Sequence, residues 1–179
     1  EAGEAPGGRG AGAVAVRVGL EQGADRFGLG FSRVYQKQFM RERLAYMRVK
    51  RGGFRKEGRG AGLKPLADLG SLEKMRTFWD FDGRVTAPLH GFLSAEDYYR
   101  RASSRYYLGA IRTQTLIIQA ADDPFVFAHS LPEASELSDS TEFELLAKGG
   151  HVGFVDGTLK QPTYYLERRI PDWLLTQRR

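Results

Sequence analysis

The stretch that most constrains the fold is Thr115-Leu116-Ile117-Ile118-Gln119-Ala120, which runs into Ala121-Asp122-Asp123-Pro124. An apolar, β-branched run of this length reads as a strand. It delivers an acid at its carboxyl end, where Pro124 fixes φ and stops the strand. Thr141–Leu146 reads as a further strand, and Lys148-Gly149-Gly150-His151 follows it. Strands that alternate with helical segments argue for a parallel sheet. A parallel sheet carries its functional groups on loops at the carboxyl ends of its strands. An acid and a histidine are therefore expected at one sheet edge.

The rest of the chain fits an α/β arrangement. Residues 1–12 end in Gly7-Gly8-Arg9-Gly10-Ala11-Gly12 and read as a turn-prone loop. Ala13–Val18 reads as a strand buried on both faces. From Phe31 to Lys50 the pattern turns helical: Phe31, Val34 and Tyr35 share one face, Met40, Leu44 and Met47 another, and Arg33, Lys37 and Arg41 recur every four residues. Arg51–Gly62 reads as a loop. Leu66–Trp79 and Ala95–Tyr107 are helix candidates with Ser71 and Ser94 as N-caps. Thr163–Gln177 predicts a final helix, bent at Pro171. The expected organisation is 1–20 as the end of a helix, a loop and a core strand, 21–110 as a helical, basic insert, and 111–179 as the core carrying the acid and the histidine.

Composition narrows the chemistry. At 179 residues and 41% hydrophobic, the chain can bury one ordinary core. It has no cysteine, which excludes disulfides, thiolate metal sites and a cysteine nucleophile. His90, His129 and His151 show no ligand spacing, so neither metal nor cofactor is expected. With no signal-peptide pattern and no apolar run near a membrane span, a cytoplasmic location is expected. Charge is uneven: between Arg26 and Arg59, eleven Lys and Arg meet only Glu42 and Glu57, a net of +9 against +5 for the whole chain. The basicity belongs to that segment, which reads first as a solvated face of the insert. Its Arg-Gly steps and basic helix also fit a module for nucleic acid or anionic membrane.

The acid and histidine invite a specific chemistry. Gly149-Gly150 lets the backbone turn sharply and present His151. Asp123 would hold the imidazole's tautomer and stabilise its cation, with His151 as general base. Alone, Asp-Asp-Pro is a strand-ending turn and a histidine in a Gly-rich turn is a loop residue. In this order, at successive strand ends 28 residues apart, they favour a site.

Further phrases carry a family resemblance. They are Gly30-Phe31-Ser32-Arg33-Val34-Tyr35-Gln36, Thr86-Ala87-Pro88-Leu89-His90-Gly91-Phe92 and Asp97-Tyr98-Tyr99-Arg100. They continue through Thr115–Ile118, Asp122-Asp123-Pro124-Phe125, Gly149-Gly150-His151-Val152-Gly153-Phe154 and Arg169-Ile170-Pro171-Asp172-Trp173-Leu174. From Gly30 to Leu174 the chain resembles the YheT-like branch of the α/β-hydrolases, relatives of the eukaryotic abhydrolase-domain lipases. The resemblance implies the C-terminal part of an α/β-hydrolase fold, with a few-stranded, incomplete parallel sheet and a mostly helical cap. It implies hydrolysis of carboxylic esters, short-chain or acylglycerol-type, with Asp123 as relay acid and His151 as base. Acyl transfer would use the same residues with another acceptor.

The nucleophile is the departure. No Gly-x-Ser-x-Gly elbow occurs, and the resemblance places the serine and the oxyanion-hole donors upstream of Glu1. Ser32 lacks the second glycine of an elbow and reads as a helix N-cap; Ser71-Leu72-Glu73-Lys74 lacks the companions of a Ser-x-x-Lys enzyme and reads as a helix start. Asp80 and Asp82 read as capping or turn residues, and His90 as a candidate cleft residue. The expected partners are a small ester or lipid-like substrate, the remaining N-terminal half of the protein, and a peripheral membrane, with no nucleic acid. On its own the chain is expected to be inactive and to associate through an unpaired strand edge.

Overall fold

The computed structural model describes residues 10–56 and 70–177. They form two compact units, one of residues 10–18 and 104–177 and one of residues 19–56 and 70–103.

The first unit is built on a parallel sheet. Strands β1 (Gly10–Val14), β2 (Gln114–Ala120) and β3 (Thr141–Leu146) lie in the order β1-β2-β3, with Ala13 opposite Ile117 and Ile117 opposite Phe143. The central place of β2 explains its composition, since Thr115 through Ala120 are all buried. Alternate residues serve opposite faces. Leu116, Ile118 and Ala120 pack with Phe154 and Trp173, while Ile117 packs with Val18 and Leu108. Burial stabilises each large apolar side chain by roughly 1.5–3 kcal/mol. A hairpin of β4 (Val155–Thr158) and β5 (Gln161–Tyr164) then leads into helix α6 (Tyr165–Thr176). The helix is tied to β3 by polar contacts. Arg169 reaches Glu142 at 2.6 Å and Glu144 at 2.8 Å, and the Trp173 indole N–H donates to Glu142 at 2.8 Å.

The strand at the start of the chain lies earlier than its apolar residues suggest. It covers Gly10–Val14 rather than Ala13–Val18, and Ala15 leaves it with φ of +52°. Packing explains the shift: a Cβ on Gly10 would stand 3.1 Å from Trp173 and one on Gly12 3.4 Å from Ile170. The glycines of an expected loop thus give α6 room to lie on the sheet. The strand is also only partly buried, not buried on both faces, and its outer edge has no strand partner among the described residues.

The second unit is helical: α1 (Leu20–Phe27), α2 (Ser32–Lys56), α3 (Phe78–Phe81), α4 (Ala87–Leu89) and α5 (Ala95–Ala102). Helix α2 buries Ser32, Gln36, Met40, Leu44 and Met47, one helical stripe. The side chains of Phe31, Val34 and Tyr35 are exposed instead. Phe27 of α1 anchors the unit edge-on to Phe78 at 4.9 Å and to Phe39 at 5.8 Å. The Arg43 guanidinium covers Phe78 and Phe81 at 4.9 and 5.4 Å.

Local capping sets the short helices. Thr77 and Asp80 form a reciprocal capping box at α3, and Ser94 caps α5 by accepting the Asp97 N–H at 3.2 Å. Leu66–Trp79 is not one helix: of its described residues, Leu72–Lys74 form a 3₁₀ turn and α3 begins only at Phe78, and 66–69 lie outside the described residues. The helix at Ala95 ends at Ala102, and Ser104–Ala110 is 3₁₀. Thr163 and Tyr164 belong to β5 and not to the last helix. Helix α2 continues to Lys56, through the first part of the expected Gly-rich loop, whose remainder from 57 lies outside the described residues. No helix among the described residues is long and apolar enough to cross a membrane.

Candidate active site

The carboxyl ends of β2 and β3 bring the two candidates together. Asp123 Oδ2 lies 2.9 Å from His151 Nδ1. The Asp123 side chain is fully buried, and a third of the His151 side chain is exposed. Three donors surround the acid: besides the imidazole, the Gln119 amide donates to Oδ2 at 3.0 Å and the Phe125 N–H to Oδ1 at 2.8 Å. A buried carboxylate with that many donors is held in one rotamer. Phe125 meets the imidazole edge to face at 4.8 Å. With Nδ1 directed at the acid, Nε2 is the nitrogen left for proton transfer.

The loop before His151 explains the glycine pair. A Cβ on Gly149 would stand 2.6 Å from the Phe154 ring and 3.0 Å from the Ala120 Cβ, while Gly150 has φ of +57°. Val152 and Phe154 also adopt left-handed backbone, at φ of +59° and +46°. Non-glycine residues hold such conformations only where their surroundings impose them. Phe154 is buried in the core and its N–H donates to the Gly149 carbonyl at 2.9 Å, closing the loop on itself. The other acid of the tandem, Asp122, accepts the N–H groups of Gly149 at 2.9 Å and Gly150 at 2.8 Å through Oδ1.

Sequence reasoning singled out Asp123 and His151 but missed the parts played by Asp122 and Gln119. The signals were present: an acid doublet at a strand end, and one buried amide in a mostly apolar strand. Gln119 is 1% exposed, and its Oε1 has no hydrogen-bond partner among the described residues.

The remaining candidates lie elsewhere. Ser32 is buried at the start of α2 in the helical unit, and Ser71 donates its hydroxyl to Glu73 at 2.7 Å. His90 caps α4 and is exposed, and His129 stacks on Phe127 at 4.9 Å. Asp80 acts as the capping residue expected of it. Asp82 is more than a turn residue: it is buried and accepts the hydroxyls of Thr86 at 2.7 Å and Tyr99 at 2.8 Å. Burial, followed by the charge of Asp82 and its hydrogen bond, raises the Tyr99 phenol's pKa far above its usual value. No cluster of three or more His, Cys, Asp or Glu suited to a metal occurs among the described residues.

An acid at the end of one parallel strand, hydrogen-bonded to a histidine on the loop after the next, is an arrangement shared with a large group of enzymes. The sequence profile of the family described as alpha/beta hydrolase fold matches residues 26–158. The chain belongs to the α/β-hydrolase family. Within that family it is 42% identical over 147 residues to the esterase-named YheT of Escherichia coli (strain K12), covering 82% of this chain and 41% of YheT. It is 31% identical over 102 residues to mouse Phospholipase ABHD3, covering 56% of this chain and 25% of that protein. Against human Monoacylglycerol lipase ABHD2 the identity is 30% over 111 residues, 59% of this chain and 26% of the relative. The chain thus spans about two fifths of YheT and about a quarter of the two lipases. No solved structure matches the chain.

Proposed function

We propose that this chain carries the relay acid and the general base of a serine-type carboxylic-ester hydrolase, with the nucleophile and the oxyanion hole supplied from outside the 179 residues. The carrying observation is the 2.9 Å contact between buried Asp123 and partly exposed His151. In the reaction, His151 Nε2 takes the serine proton as the hydroxyl attacks the ester carbonyl, then returns it to the departing alcohol. Asp123 fixes the Nδ1–H tautomer and stabilises the imidazolium. Water resolves the acyl-enzyme by the same route in reverse, and an alcohol acceptor in its place would make the enzyme an acyltransferase. The esterase and lipase names of the relatives support ester or acylglycerol-type substrates.

The test uses the 179-residue chain and the product of the complete coding frame, each with a short-chain nitrophenyl ester and a serine-reactive fluorophosphonate probe. The reading expects turnover and labelling in the complete product, turnover lost on His151→Ala, and neither in the shorter chain. Labelling of the shorter chain, with turnover, would place the nucleophile inside it and overturn that part of the reading.

A second reading rests on α2. Val34, Tyr46 and Val49 are 59–74% exposed on a helix that also carries Arg33, Lys37, Arg41 and Arg48, and Phe31, 72% exposed, immediately precedes it. Aromatic and basic residues exposed together suit an anionic lipid surface. Co-sedimentation with vesicles containing phosphatidylserine, lost in pure phosphatidylcholine and unchanged by His151→Ala, would support it.

A further inference from the structure

Asp122 takes no part in the acid–base step, yet its carboxylate is engaged as specifically as that of Asp123. One oxygen, Oδ1, accepts two successive backbone N–H groups, those of Gly149 and Gly150. Successive N–H groups that converge where the backbone passes into the left-handed region form an anion-binding concavity. Gly150 supplies that conformation, and the bound anion is the protein's own side chain. Neighbouring residues at a strand end point to opposite sides. One acid of the tandem can therefore reach the loop backbone while the other reaches the ring.

The His151 loop needs such an anchor. Three of its residues, Gly150, Val152 and Phe154, are left-handed, so it does not hold its shape by local preference. Phe154 and Ala120 grip Gly149 from the core side, and Asp122 grips it from the exposed side. We propose that Asp122 is a positioning residue, which clamps the Gly149-Gly150 turn to the end of β2 and so sets where the His151 ring meets Asp123. Its catalytic consequence rests on the Asp123–His151 pair acting as proposed above; its structural consequence does not.

Hydrogen exchange on the full 179-residue chain, read by mass spectrometry with residue-level fragmentation, tests the clamp. Two signals are followed: the amides of Gly149 and Gly150, and the slow exchange of the imidazole C2 proton of His151, with His90 and His129 as internal references. Asp122→Ala is expected to speed the two amides about ten- to a hundredfold, the loss of a charge-assisted hydrogen bond. It should also move the His151 exchange profile toward that of Asp123→Asn. Asp122→Asn keeps one acceptor oxygen and should fall between, with His90 and His129 unmoved.

If the amides accelerate while His151 keeps its profile, Asp122 only holds a turn and the proposal fails. It fails equally if the amides of Asp122→Ala exchange as in the parent. Should Asp122→Ala not fold, Asp122→Asn alone decides, because the proposal requires its amides and its His151 profile to move together. In an ester-hydrolysing preparation the same variants should lower kcat and leave KM within about twofold. Turnover that survives His151→Ala would overturn the hydrolase reading while leaving the exchange result standing.

Discussion

Phe154 closes over Gly149 so tightly that a methyl group there would stand 2.6 Å from two carbons of the ring. Phe154 is itself buried beside Leu116, Ile118 and Trp173, so it cannot yield without opening the core. Gly149→Ala is therefore expected to destabilise the first unit by ~1–3 kcal/mol through overpacking. Gly150→Ala meets no atom within 4 Å among the described residues but sits at φ of +57°, at a cost of ~1–2 kcal/mol. Urea titration followed by circular dichroism compares them, and Gly149→Ala with a parental midpoint would contradict the packing.

Under the proposed function, Asp123 and His151 make an asymmetric prediction. In an ester-hydrolysing preparation that contains this chain, His151→Ala and Asp123→Asn should each lower ester turnover by roughly 10³-fold or more. The double variant should be scarcely worse than either, because the two residues act as one device. Steady-state kinetics on a nitrophenyl ester read all three, and additive losses would mean that the pair does not work together.

Trp173 separates packing from polar contact. It is buried on the sheet and donates to Glu142 at 2.8 Å. Trp173→Ala should cost ~3–5 kcal/mol and Trp173→Phe about 1–3 kcal/mol, since a smaller aromatic ring is kept while the indole donor and part of the buried volume are lost. Equal losses, measured by chemical denaturation, would show that the ring's packing contributes nothing beyond the hydrogen bond that both variants lose.

Asp80 gives the helical unit an acid-sensitive joint. Partial burial pushes its carboxyl up, but the N–H groups of Arg76 and Thr77, the Thr77 hydroxyl and the charge of Arg84 outweigh it, and the folded pKa lies below the ordinary value of 3.8. A depressed folded value stabilises above the unfolded pKa, and the gain is lost as pH falls through the folded one. The melting-temperature gap between the parent and Asp80→Asn should be widest near neutrality and narrow below about pH 4. A gap that holds constant down to pH 2, by differential scanning fluorimetry, would remove Asp80 from the acid response.

The parts of the fold that were readable are those whose residues carry their own reason. β2 is apolar because it is central, Ser94 caps because its hydroxyl reaches Asp97, and Asp123 and His151 lie at strand ends where a parallel sheet delivers chemistry. The parts missed answer to distant neighbours. β1 begins in glycines, which look like a loop until Trp173 and Ile170 of α6 come to lie on them. Helix α1 carries Gly23, poor in intrinsic helix preference, buried within the unit. The β4–β5 hairpin turns at Leu159-Lys160, without the Asn or Gly that announces such turns, and carries Pro162 in an exposed strand. The Asp122 clamp was hidden differently: the residue was noticed, but its target is a pair of backbone N–H groups that leave no mark on side-chain spacing.

The place of the helical unit in the chain, between β1 and β2, has a kinetic side. β1 must find β2 across the whole of residues 19–103, a separation that makes parallel pairing slow through the entropy of closing the loop. The Leu20 N–H, however, donates to the Ser103 hydroxyl at 3.1 Å, and the Arg105 N–H to the Val18 carbonyl at 3.0 Å. Once the helices have gathered, their entry and exit points lie side by side, and the strands meet as if joined by a short link. Breaking that clasp with Ser103→Ala should therefore slow refolding more than its small effect on stability would suggest.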